Sequence, residues 1–299
     1  MLLLGAHMSV SGGLHNAITH ATAVDSEAVQ VFTKNQNQWA AKPLTDEIVA
    51  KWSSAWQSST IKTVVAHDSY LINLASPTDD LWEKSIAAFR IELERCETLG
   101  IPFLVTHPGA HTGSGAEAGL ARIVAALDRV HEELPGYTVR TLLETTAGQG
   151  TTLGATFVEL GTLLAGVSAP ERLGVCFDTC HTFVAGYDCR TVDAYAETMG
   201  AFDGAVGIAQ IEAIHFNDAL KEFGSKRDRH AQIGKGYIGS GGFWSFMNDA
   251  RLHGKAGLLE TEKGEDLAED REALTLLRSM VGAPYPEASV VGELVTSVD

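Results

Sequence analysis

The chain has 299 residues, 45% of them hydrophobic, which suffices for a large buried core in one large domain or two small ones. Its net charge of −16, from 38 acidic and 22 basic residues, excludes a protein that coats nucleic acid through bulk positive charge, though not a local positive site made by loops or metal. No uninterrupted apolar run reaches the ~18 residues of a membrane-spanning helix, and the opening MLLLGAHMSV lacks the basic flank of a signal peptide.

In chain order, short β-type runs alternate with longer helical patterns. LLLGAH ends at His7, AVQVFT at Thr33, KTVVAH at His67 and PFLVTH at His107. VRTLLE ends at Glu144, LGVCFD ends at Asp178, IEAIHF carries His215 and AGLLE ends at Glu260. The runs are nearly continuous Val, Leu, Ile and Ala, as in parallel strands covered on both faces. Between them, DDLWEKSIAAFRIELERCETLG has an acidic first turn and Gly100 as a stop, and EAGLARIVAALDRVHEEL has apolar residues at three-and-four spacing. The last helix is expected in EDLAEDREALTLLRSMVG. Eight such units imply a single (β/α)₈ barrel over residues 1–283, followed by a tail, 284–299, whose order the pattern does not define. The first strand is not followed by the G-x-G-x-x-G of an open dinucleotide-binding sheet. Cys96, Cys176, Cys180 and Cys189 show no C-x-x-C spacing and read as reduced thiols of a cytoplasmic protein.

Seven of the eight runs carry a His, Asp or Glu at or beside the C-terminal end, the rim where a barrel keeps its active site. Any one of them alone reads as a hydrogen-bonded structural residue or a helix cap. Together, His7, His67, His107, Glu144, Asp178, His215 and Glu260 would crowd buried carboxylates at one rim, a costly arrangement unless cations neutralise them. CFDTCH adds His181 three residues after Asp178, and SKRDRHAQIGKGYIG adds Asp228 and His230 from a loop. The nine strongest candidates are His67, His107, Glu144, Asp178, His181, His215, Asp228, His230 and Glu260. Imidazole with carboxylate suits zinc or manganese. At three or four ligands per zinc, nine are too many for one ion, and with a bridging carboxylate they serve three. Clustered divalent ions suit phosphoester hydrolysis, and their charge would outweigh the four carboxylates. Lys34, Lys221, Lys226, Arg227, Arg229 and Lys235 are expected in loops on the same rim.

The stretches GAHMSVSGGL, VFTKNQNQW, AHDSYLINLASP, THPGAH, LLETTAGQGTTLG, GVCFDTCHTFVAGYD, IHFNDALKEFGSKRDRHAQIGKGYIG and LLETEKG run nearly end to end. In them the chain resembles the endonuclease IV family, the zinc-dependent apurinic/apyrimidinic endonucleases of base-excision repair. The resemblance implies a barrel with three zinc ions, manganese being possible at one. His67 and His107 would hold the first, Asp178, His215 and Glu260 the second, with Glu144 bridging the two. His181, Asp228 and His230 would hold the third. It further implies hydrolysis of the phosphodiester 5′ to an abasic site in duplex DNA, leaving 3′-hydroxyl and 5′-deoxyribose phosphate ends. A metal-held hydroxide governed in part by Glu144 would attack, and blocked 3′ ends would also be trimmed, by a monomer. Tyr70 and Leu71 match positions that fill the gap left by an extruded nucleotide. At position 37 the chain has Asn where the family commonly has an inserting Arg, which puts the grip on DNA in question. The competing enzyme class is a metal-dependent sugar isomerase or epimerase on the same barrel, distinguished by the set His181, Asp228 and His230. A non-catalytic DNA-binding barrel is the other alternative, and Asn37 and the acidity are what favour it.

Overall fold

The structure is a computed structural model and describes residues 1–286, so most of the tail expected beyond residue 283 lies outside the described residues. The first seven apolar runs form β1 (Leu3–His7), β2 (Ala28–Phe32), β3 (Thr63–His67), β4 (Phe103–Thr106), β5 (Arg140–Glu144), β6 (Leu173–Asp178) and β7 (Ile211–Phe216). A small antiparallel pair follows, β8 (Asp218–Ala219) with β9 (His230–Ala231), and the eighth run forms β10 (Ala256–Leu259). The eight long strands close into a parallel barrel in the order β1-β10-β7-β6-β5-β4-β3-β2. The (β/α)₈ expectation is therefore met.

Helices α1 (His15–Ala23), α2 (Asp46–Gln57), α3 (Asp79–Leu99), α4 (Ala116–Glu133), α5 (Phe157–Gly166), α6 (Thr179–Ala185), α7 (Val192–Ala205), α8 (Gly239–Asn248) and α9 (Ala268–Met280) join the strands. Local chemistry sets their ends. Gly100 stops α3 in the left-handed region at φ 70°, and Thr156 with Glu159 forms a reciprocal capping box on α5. The last helix begins later than expected because Leu267 adopts φ 55°, a conformation that cannot continue a helix. No helix among the described residues is long and apolar enough to cross a membrane, and all four cysteines are free and buried.

Two apolar layers hold the barrel. Outside it, residues such as Phe89, Leu93, Leu127, Phe202 and Phe246 pack the helices onto the strands. Inside it, Ala28, Val65, Val105, Leu142, Cys176, Ala213, Ala256 and Leu258 form a separate buried cluster. Side chains on a strand return to the same face every second residue. Two positions beyond Ala28, Val65, Val105, Leu142, Cys176, Ala213 and Leu258 stand Gln30, His67, His107, Glu144, Asp178, His215 and Glu260. The polar residues at the strand ends are thus the next interior layer of the barrel, facing its axis. An apolar side chain buried there would contribute about 1.5–3 kcal/mol. An unpaired polar group costs a comparable amount or more, about 2–7 kcal/mol, so this layer is expensive as mere packing.

Candidate metal centre

Glu144, at the end of β5, is 1% exposed and lies at the middle of the layer. Its Oε2 is 3.2 Å from Nε2 of both His67 and His107. Its Oε1 is 3.0 Å from His215 Nδ1 and 3.2 Å from His181 Nδ1. Glu260 Oε2 meets His215 Nδ1 from the other side at 3.1 Å. Asp178 has both roles open to an acid at a strand end. Its Oδ1 accepts the His181 backbone N–H at 2.7 Å and caps α6, while Oδ2 accepts from Asn217 Nδ2 and lies 3.8 Å from His215 Nδ1.

The remaining candidates come from outside the barrel strands. His181 is in the first turn of α6, and His230 opens β9. Asp228 joins them, with Oδ2 3.2 Å from His181 Nε2 and Oδ1 3.2 Å from His230 Nε2. The loop carrying this pair is fixed twice. Asp228 N–H donates to Gln149 Oε1 at 3.2 Å. Buried Asp218 accepts the backbone N–H groups of Ala219, Gly236, Ile238 and Gly239. Gly236 must be glycine here, because a Cβ would fall 2.5 Å from the Asp218 carboxylate oxygen and 2.4 Å from the Ala219 carbonyl oxygen.

Four sets of donor atoms lie within 4.8 Å of one another: His67, His107 and Glu144; Glu144, Asp178, His215 and Glu260; Asp178, His181 and His230; and Cys180, Asp228 and His230. The nine residues singled out in the sequence thus converge at one rim. Asp178 stands between the second and third groups, and the buried Cys180 thiol also approaches Asp228 and His230. Sequence reasoning missed Gln30 and Asn217, which hydrogen-bond the acids and imidazoles of this layer. Counting by twos along β2 finds Gln30, since it follows inward-facing Ala28. Its lack of charge hid it. His7, paired in register with Gln30, meets Gln30 and Glu260, and burial lowers its basicity.

Electrostatics show what the layer lacks. Burial opposes charge on His67, yet the hydrogen bond and charge of Glu144 push the imidazole up to about 9. Burial likewise opposes charge on His230, and Asp228 pushes it up to about 9. His181 and His215 are also raised against burial, chiefly by Asp178 and Asp228 for the first and by Cys176, Glu260 and Glu144 for the second. Glu144, Glu260 and Asp228 are held below the ordinary carboxylate range despite burial, by the imidazoles around them. Protons therefore supply the positive charge that these acids require.

Divalent ions suit the same residues better. His67 Nδ1–H donates to the Asp68 carbonyl at 2.9 Å, His181 Nδ1–H to the Thr145 carbonyl at 2.9 Å, and His215 Nε2–H to Gln30 Oε1 at 2.8 Å. In the neutral rings, these bonds leave His67 Nε2, His181 Nε2 and His215 Nδ1 as lone pairs aimed at carboxylate oxygens. Such pairs repel unless a cation lies between them. His230 Nε2 is buried without a hydrogen-bond partner among the described residues, although Asp228 is close by. Outward hydrogen bonds on histidine with inward lone pairs are the usual arrangement around a bound metal, and the donors are the nitrogen and oxygen types that zinc or manganese takes.

The rim around the centre carries the other candidates. Tyr70 is 58% exposed, with its ring centroid 5.3 Å from that of His67 and 5.9 Å from that of His107. Leu71 beside it is half-buried, and Asn37 is exposed on the neighbouring loop. Lys226, Arg227, Arg229 and Lys235 are exposed and Lys221 is half-buried. Lys34 departs from its expected place among the rim cations. It is buried, donates to the Gln38 carbonyl at 2.7 Å and pairs with Glu92 at 3.5 Å. Together with Arg95, which donates to the Lys42 carbonyl at 2.8 Å, it anchors the loop that presents Asn37.

Fold and donor layer define the class, a parallel barrel with clustered imidazole and carboxylate groups that could hold metal ions at its C-terminal rim. Residues 18–280 match the family model described as xylose isomerase-like TIM barrel. The chain is 52% identical over 277 residues to the probable endonuclease 4 of Chloroflexus aggregans, covering 93% of this chain and 97% of that one. It is 46% identical over 278 residues to the probable endonuclease 4 of Geobacter sulfurreducens, covering 93% and 94%. The crystal structure of endonuclease IV from Thermus thermophilus superposes with a TM-score of 0.81 at 34% identity, covering 93% of this chain and 98% of that one. The chain belongs to the endonuclease IV family.

Proposed function

We propose that the protein is a zinc-dependent DNA-repair endonuclease acting on duplex DNA. It hydrolyses the phosphodiester 5′ to an abasic site, leaving 3′-hydroxyl and 5′-deoxyribose phosphate ends, and it also trims blocked 3′ ends. The observation that carries this reading is the convergence of nine imidazole and carboxylate side chains, Glu144 among them, at one rim, in a chain of this family.

In this reading His67 and His107 hold one zinc, Asp178, His215 and Glu260 a second, and Glu144 joins the two. His181, Asp228 and His230 hold a third, and manganese is compatible with the same donors. When bound, the ions supply activation of water, neutralisation of the phosphate and stabilisation of the departing oxygen. The chain's own residues do the rest. Glu144, at the middle of the donor layer, accepts a hydrogen bond from the attacking water and orients it. Tyr70 and Leu71 stand at the mouth, where an aromatic and an aliphatic side chain replace the stacking of an extruded nucleotide. Lys226, Arg227, Arg229 and Lys235 meet the backbone phosphates locally, so the overall charge of −16 does not decide binding.

The test is incision of a duplex with one abasic-site analogue by chelator-stripped protein, with and without added zinc. Zinc-dependent cleavage on the 5′ side is expected. No cleavage by protein verified to hold three zincs would overturn the reading and make sugars the next substrates to try.

A further inference from the structure

Seven strands place an ionisable side chain in or level with the interior layer above the apolar one, and β2 places an amide there. Gln30 is fully buried, and its contacts use both ends of that amide. Oε1 accepts from His215 Nε2–H at 2.8 Å. Nε2 donates to Glu260 Oε1 at 2.6 Å and to His7 Nδ1 at 3.0 Å. We propose that Gln30 is a positioning residue for the set Glu144, Asp178, His215 and Glu260, fixing the tautomer of His215 and the rotamer of Glu260 with one side chain. This inference rests on the metal-centre reading above and deepens it.

Hydrogen-bond polarity fixes both groups. With its proton on Nε2, His215 turns the Nδ1 lone pair toward Glu144 Oε1 and Glu260 Oε2, at 3.0 and 3.1 Å. With its proton on Nδ1 the ring would present a lone pair to Gln30 Oε1, and the buried contact would be lost. Glu260 is constrained in the same way. Its Oε1 is taken by Gln30, its backbone N–H donates to Asn217 Oδ1 at 3.0 Å, and Oε2 is left facing His215. The amide cannot be reversed. That would set its NH₂ against the His215 N–H and its oxygen against the Glu260 carboxylate. Packing gives no reason for an amide here, since its inward neighbour on β2 is Ala28 and the layer beneath is aliphatic. A residue that orients a metal-holding histidine and carboxylate by outer hydrogen bonds typically changes metal affinity by about 10- to 100-fold.

Gln30→Leu keeps the size of the side chain and removes both bonds. Zinc affinity, measured by competition with a chromophoric chelator, is expected to fall about 10- to 100-fold for one of the three ions, with the other two unchanged. In the cobalt-substituted protein the visible band of one ion is expected to shift. Incision should lose kcat with little change in KM. Gln30→Glu retains the acceptor toward His215 but sets a second carboxylate against Glu260, so it should not restore the affinity. A Gln30→Leu protein that holds three zincs at wild-type affinity with an unchanged cobalt spectrum would overturn the inference. Should that variant fail to fold, nitrogen-15 NMR of the zinc-loaded wild type decides, because a His215 ring protonated on Nδ1 would equally overturn it. If wild-type protein takes up no metal at this set, the metal-centre reading fails first, and the chelator assay separates the two failures.

Discussion

Asp228 lies 3.2 Å from each imidazole of the outer group, His181 through Oδ2 and His230 through Oδ1. Asp228→Ala is therefore expected to lose one metal and most of the incision rate while the barrel stays folded. Metal analysis alongside an incision assay checks this, and full metal content with unchanged cleavage would remove Asp228 from the centre. In the proposed function Asn37, on an exposed loop, would bear on grip and not on chemistry. Asn37→Arg should tighten duplex binding and steepen its salt dependence, since each added phosphate contact contributes about 0.9 to the slope of log K against log salt. Equal affinity across salt concentrations would mean that this loop does not meet DNA. Single residues were legible in the sequence where they carried charge at a strand end. Gln30 and Asn217 were not, because an uncharged amide gives no signal of what it will face. Lys34 misled for the complementary reason. Its charge suggested the rim, and only the fold shows that Glu92 of α3 draws it inward.

Among the elements, the loop after β7 differs most from the rest. The barrel strands could be read from apolar runs and polar ends, and the helices from caps and stop signals. The β8–β9 pair could not, because strands of two residues leave no periodicity, and the pairing depends on Asp218 gathering the neighbouring Ala219 N–H and three more from the distant Gly236, Ile238 and Gly239. Hydrogen bonds to a charged group contribute about 1.5–3 kcal/mol each, less when shared. Asp218→Ala is expected to destabilise the protein by about 2–4 kcal/mol, and urea denaturation measures it. Asp218→Asn should retain part of the loss, because its amide oxygen still accepts. Gly236→Ala should mimic the alanine variant by forcing the carboxylate away. A wild-type midpoint in Asp218→Ala would show that the loop holds its shape by other contacts.

For the whole molecule, the centre ties stability to pH. In metal-stripped protein His67 and His230 titrate near 9, above the ~6.5 of histidine in an unfolded chain. Their contribution is fully present below ~6.5 and is lost as pH rises through about 9. Glu144, Glu260 and Asp228 are shifted down, so their contribution is present above the ordinary carboxylate range and disappears on acidification. The Tm of stripped protein should thus decline between about pH 6.5 and 9.5, and zinc should abolish that alkaline decline by replacing the protons. An identical decline with zinc bound would argue that the ions bind elsewhere. The closed barrel has a further consequence. His67, His107, Glu144, Asp178, His215 and Glu260 come from six strands, and β10, which precedes Glu260 directly, is the strand that seals the ring between β7 and β1. No fragment shorter than residues 67–260 carries this donor set, and such long-range pairings form slowly. During refolding, capture of metal by the second set should trail helix formation and arrive with ring closure, so the ion acts as a clock for the last topological step.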